Sequence, residues 1–197
     1  RIMVSVSRIF TVINAGNQLR ARFGTIRWKN LIVRCVTHAS AWSETDREGE
    51  CGMQIIRVST DNEISFHDYP EGNYAAQNRA LRELIGNNCQ VYEHVMPRRL
   101  YTELHMRNQA TDLPGQCVSM LIDEEGMLKE NEPNILGSYL YESDRHGYPI
   151  MGNILLVGEK LDEDGIDFCG IEDSVFRQLA GQIKYIVNKI EEEELDI

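Results

Sequence analysis

Asp144, Arg145 and His146 stand in a row within "GSYLYESDRHGYPIMGNILLVGE", between two apolar runs. An imidazole titrates near neutrality and a guanidinium is a fork-shaped donor, so His146 and Arg145 together suit a phosphate or a carboxylate. The alternative is a solvated turn, with Gly147 supplying a positive φ and Asp144 bonding the backbone ahead. Arg98 and Arg99 follow Pro97 at a strand end and make a local positive spot. Their alternative is pairing with Glu93 or Glu103. Tyr141 offers an aromatic surface near the 144–146 cluster. The candidate ligand- or partner-binding set is therefore Arg98, Arg99, Tyr141, Asp144, Arg145 and His146, with the two segments expected to border one pocket.

Other chemistry is thinner. Cys35 and His38 of "CVTH", with Cys51, lack the second pair that a tetrahedral metal site needs. Cys89 and His94 sit at odd spacing and so point to opposite faces of a strand. The acids of "LDEDG" lack the spacing of an EF-hand loop. Cys169 in "DFCG" reads as a small buried hydrophobe sooner than as a nucleophile. No P-loop, dinucleotide fingerprint or zinc-protease motif is present, so neither a metal nor a cofactor is expected.

Those residues need a frame. The 197 residues, 42% hydrophobic and 26% charged, suffice for one core, and no apolar run reaches the ~20 residues that span a bilayer. Five scattered cysteines argue against a disulfide framework and for a cytoplasmic location. The net charge of −11 is uneven. Residues 1–52 hold eight basic and four acidic side chains, a balance of +4, whereas the rest hold 12 basic and 27 acidic, a balance of −15. The expectation is a basic N-terminal extension over 1–52 and a single acidic domain over 53–197. The extension reads either as a small arm or as sequence upstream of a natural start at Met53, where local order begins abruptly. The acidic domain is expected to avoid bare nucleic acid and anionic membranes.

From Met53 the elements are legible. "QIIRVS-TDNE-ISFHDY" reads as a β-hairpin over 54–68. Asn73 caps a helix with Ala76, Ala80, Leu81, Leu84 and Ile85 on one face and Gly86 as its stop. "CQVYEHVM" is a strand ended by Pro97, "RRLYTELHM" a short helix and "CVSMLID" a buried strand. Asn134 opens a short helix, "SDRHG" is a turn, and Gly152 marks a bulge before the apolar run 154–157. "KLDEDG" is an acidic loop, and a long amphipathic helix runs from about 172 to 194. The fold class is α+β: a small mixed or antiparallel sheet with two to four helices and a long C-terminal helix.

The block "IDEEGMLKENEPNILGSYLYESDRHGYPIMGNILLVGEK", then "GIDFCGI", resembles an uncharacterised bacterial and phage family known only as a domain of unknown function. The shared features are the acidic-Gly turn and Lys at 123–129, Asn134, "LY" at 140–141 and Ile-x-Gly at 150–152. Val157-Gly158, "DFC" at 167–169 and "PRRLY" at 97–101 complete them. The resemblance covers roughly 53–197 and leaves out 1–52. It implies a cytoplasmic accessory protein of phages, plasmids and their hosts, and no activity. The leading expectation is non-enzymatic binding of a small anionic ligand or a host protein. The alternatives are an acidic DNA-mimic decoy of a host nucleic-acid-binding protein, and a small hydrolase or transferase using His146 with Asp144 or Cys169.

Overall fold

A computed structural model describes residues 53–163 and 165–195, apart from the side chains of His146, Glu191 and residues 193–195. The basic segment 1–52, with Cys35, His38 and Cys51, lies outside the described residues.

Alternating side chains make the first hairpin, β1 (Gln54–Val58) and β2 (Ile64–Asp68), with Ile56 opposite Phe66. Asn62 takes the left-handed turn position at φ 63°, which Asn tolerates better than most residues. Helix α1 (Tyr74–Ile85) starts where the Asn73 side chain accepts the Ala76 N–H and stops at Gly86, φ 77°. Its buried stripe is narrower than the sequence suggests: Leu81 and Ile85 are covered, whereas Ala76 stays exposed. Strand β3 (Tyr92–Val95) begins three residues later than expected, because Asn87 and Asn88 both turn left-handed and tuck Cys89 into the core.

Helix α2 (Arg98–Thr102) follows Pro97, and β4 (Cys117–Asp123) is buried along its whole length. Helix α3 (Ile135–Tyr141) is capped by buried Asn134, whose carbonyl accepts Gly137 N–H while its amide donates to Val58 and Ser59 carbonyls. The expected turn at 143–146 is one turn of helix, α4 (Ser143–His146), closed by Gly147 at φ 78°. Gly152 is also left-handed, at φ 83°, beside the Met151 bridge to Pro133.

The acidic loop expected over 160–165 is in large part strand. Lys160, Leu161 and Asp162 belong to strand β5 (Ile154–Asp162), which turns back as β6 (Gly165–Cys169). Leu161 pairs with Ile166 and Lys160 with Asp167, so side-chain alternation continues beyond the core and polarity alone misled. The chain ends in α5 (Asp173–Leu195). Glu172 caps that helix, its carboxylate accepting the Ser174 hydroxyl and the Ser174 and Val175 N–H groups, which together hold its pKa below the usual value.

The fold is α+β, and every strand pairing is antiparallel, in the order β2-β1-β5-β4-β3. Strand β5 is long enough to hold β1 against 154–156 and β6 against 158–162 on one side, with β4 on the other. One sheet face gathers Ile55, Leu121, Leu155 and Val157 under Leu81 and Ile85 of α1. The other face presents Ile56, Ile154 and Leu156. Gly137 of α3 lies close against Ile154, and Phe176 of α5 stacks edge-on to Phe66. Each fully buried aliphatic chain contributes about 2 kcal/mol.

Three glycines let the chain cross the sheet at one point. A Cβ on Gly158 would lie 2.3 Å from Gly170 O and 2.7 Å from Gly115 Cα, and one on Gly170 would meet Met53 Cβ at 2.1 Å. The crossing fixes where α5 begins, since Glu172 N–H donates to Gly115 O there.

Candidate functional site

The two sequence segments with candidate cations do meet. Glu142 sits left-handed at φ 64° between α3 and α4, and this kink brings Asp144 towards α2. Arg99 Nη2 lies 2.9 Å from Asp144 Oδ1, its Nε 3.1 Å from Glu103 Oε1, and its Nη1 donates to Tyr139 O at 2.8 Å. The guanidinium also stacks over the Tyr139 ring, 4.4 Å from the centroid. Arg99 is buried, and its charge is spent inside the fold.

The other candidates differ in exposure. Arg98 is exposed. Arg145, 67% exposed, reaches back to buried Glu142 at 3.0 Å. Tyr141 is half-buried in the last turn of α3. The backbone of His146 ends α4, and its side chain lies outside the described residues. An open groove of about 540 Å³ lies elsewhere, between β2 and α1, lined by Phe66, His67, Asp68, Glu83 and their neighbours.

A second constellation forms on the α1 face of the sheet, beyond the end of α1. Cross-strand register puts Cys117 opposite Glu159 and Ser119 opposite Val157, so Cys117, Ser119 and Glu159 share that face. His94 comes from β3. Its Nε2 lies 2.8 Å from Ser119 Oγ and 3.3 Å from Glu159 Oε1, and the Ser119 hydroxyl bonds to the same carboxylate oxygen. With Ser119 donating to Glu159, the serine oxygen accepts from His94, which places the ring hydrogen on Nε2. Nδ1 has no hydrogen-bond partner among the described residues.

Aromatic rings roof this polar floor. Strands β3 and β6 stand three strand spacings apart, about 14 Å. His94 and Phe168 reach over β4 and β5 until their centroids are 5.3 Å apart and edge-on, and Tyr92 meets Phe168 at 6.4 Å. Ser119, Cys117 and Glu159 are consequently buried, while 36% of the His94 side chain meets solvent. Where β3 ends, Tyr101 donates its hydroxyl to Val118 O and completes the ladder.

The electrostatics follow from this packing. Burial pushes the Glu159 carboxyl up, but hydrogen bonds from His94, Ser119 and Cys117 outweigh it and leave the pKa below its ordinary value. Burial, with the adjacent Glu159 carboxylate, pushes the Cys117 thiol up to about 12. Burial lifts Cys89 and Cys169 to about 11. These thiols stay protonated at neutral pH and make poor nucleophiles. Ser119 and Glu159 meet the same imidazole nitrogen, so this is not a relay in which an acid orients one nitrogen and a hydroxyl uses the other. What the arrangement does is hold His94 in one orientation with Nδ1 available.

The face continues outward as an apolar surface. Phe168 is followed, two residues back on β6, by Ile166, and Ile166 is paired directly with Leu161. Those two side chains are 59% and 52% exposed. This surface is hidden in the sequence, where "KLDEDG" over 160–165 reads as an acidic loop. The available signals were Ser119 within an apolar strand and Glu159 at the end of another. Buried polar groups of that kind require partners.

Comparison with known proteins adds no relative: no family model, no curated protein and no solved structure matches the chain.

Proposed function

We propose that the protein is a non-enzymatic accessory protein that binds a protein partner through the outer end of its sheet. The carrying observation is the exposed Leu161–Ile166 pair, continuous through Phe168 with the fixed imidazole of His94. Exposed apolar surface of this kind, rimmed by polar residues, is characteristic of protein contacts. The rim is acidic, since Asp162 and Glu163 are exposed at the hairpin tip. An apolar centre with an acidic edge, on a domain of charge −15, fits a partner with apolar side chains ringed by Lys or Arg.

The reactive groups support binding over chemistry. Ser119 is buried, the three described thiols are held protonated, and Arg99 is engaged internally. The resemblance over 53–197 adds the setting: an accessory protein of a phage- or plasmid-type element, acting on a host protein. A small anionic ligand remains the second reading, resting on exposed Arg98.

The test compares wild-type protein with a Leu161→Ser/Ile166→Ser variant as baits in a host lysate, with circular dichroism confirming that both fold. The expected result is a basic protein retained by the wild type and lost from the variant. Equal retention by both baits would remove the surface from the proposal.

A further inference from the structure

We infer that the outer edge of β3 receives an extended basic segment of the partner as an added strand. This inference rests on the partner-binding reading but uses different atoms. The N–H of Glu124 donates to Val91 O, which sets the alternation along the β3–β4 ladder: Val91, Glu93 and Val95 turn their backbone groups towards β4. Tyr92 and His94 therefore turn theirs away from the sheet. Strand β3 ends the strand order, and among the described residues nothing bonds the N–H or C=O of either. Among the described residues, two N–H and two C=O groups thus stand open in a row.

Edge strands usually carry devices that stop another chain from pairing, such as an inward charge, a lysine, a bulge or a proline within the strand. The strand Tyr92–Val95, "YEHV", is short and carries one exposed charge, Glu93, both of which limit pairing, but it has no lysine, no proline and no extra residue in its register. Exposed Val91 and Met96 flank it at 50% and 39% exposure.

The occupant follows from the two faces. An added strand would place alternate side chains beside Tyr92 and His94 on the ring-roofed face, and the others beside Glu93, which is exposed on the opposite face. Apolar residues suit the first row and Lys or Arg the second. A second copy of this chain is disfavoured, because two domains at −15 repel. The mode is strand addition, in which backbone bonds supply affinity and alternate pockets supply specificity.

The probe is a capped eight-residue peptide alternating valine and lysine, titrated into the full chain and followed by amide hydrogen exchange and fluorescence anisotropy. In the free protein the Tyr92 and His94 amides are expected to exchange quickly, and saturating peptide to slow both about tenfold or more. Two further peptides carry N-methyl groups, one on the valines and one on the lysines. One of them is expected to lose binding about tenfold and the other to keep it, since only one set of N–H groups faces β3. A peptide with glutamate for lysine is expected not to bind, and Glu93→Gln to weaken binding about threefold. Equal binding by both N-methylated peptides, or no protection at Tyr92 and His94, overturns the inference, as does a dimer of the chain that blocks the peptide. Leu161→Ser/Ile166→Ser reports on the other surface, so the two readings fail separately.

Discussion

Arg99 and Asp144, 45 residues apart in the chain, are joined by a 2.9 Å ion pair that ties α2 to α4. The pair answers what the run Asp144-Arg145-His146 is for: its acid holds the fold together, while Arg145 stays at the surface. Arg99 is neutralised by Glu103 and Asp144 and stacked on Tyr139, so its role is to lock three helices around one guanidinium.

Removing that guanidinium is expected to be costly. Arg99→Ala should lower stability by about 3 kcal/mol, because a buried hydrogen-bonded cation and its packing go together. Asp144→Asn should cost about 1 kcal/mol, since Glu103 remains and Asp144 is about one-third exposed. Urea midpoints measured with circular dichroism give both values, and an unchanged midpoint for Arg99→Ala would contradict the account.

Glu159 predicts an acid-sensitive step. Its folded pKa lies below the ordinary 4.5, so it adds stability that is complete above 4.5 and lost as pH falls through the lower folded value. Wild-type urea midpoints should therefore drop on acidification below about pH 4.5 more steeply than those of Glu159→Gln. Parallel acid limbs for the two proteins would count against an ionised Glu159.

The glycines separate crowding from strain. Gly158→Ala should destabilise by about 3 kcal/mol or prevent folding, because its Cβ would meet backbone atoms 2.3 and 2.7 Å away. Gly147→Ala should cost only about 1 kcal/mol, since nothing lies within 4 Å and only the φ of 78° resists. Thermal unfolding ranks the two, and a reversed order would refute the crossing.

Thiol labelling tests the cluster from another side. At pH 7.5, Cys89, Cys117 and Cys169 should resist iodoacetamide in the folded protein and react fully in urea, as burial and raised pKa values require. Peptide mapping resolves the three sites, and rapid native labelling of Cys117 would show its floor to be open.

What was legible in the sequence was local. Asn73 and Gly86 bound a helix through contacts three or four residues away, and Asn134 caps another in the same manner. The left-handed Gly147 and Gly152 were legible for the same reason. The His94, Ser119 and Glu159 cluster was not, because 25 residues separate the first two and 40 the last two, and only sheet register joins them. Strand β6 was hidden for a different reason: its Asp167 and the acids just before it in the sequence mimic a loop, whereas its pairing is dictated by β5 having grown longer than its neighbours.

The sheet order carries a consequence for the chain while it is being made. The β1–β2 hairpin is first among the described strands, yet β1 finds its other neighbour in β5, where Ile56 pairs with Leu156 about a hundred residues later. During synthesis at ~5–20 residues per second, that hairpin waits for seconds with Ile55, Ile56 and Val58 uncovered. Over that interval the nascent chain carries an unpaired strand edge and uncovered apolar side chains, the condition in which partly made chains are prone to aggregate.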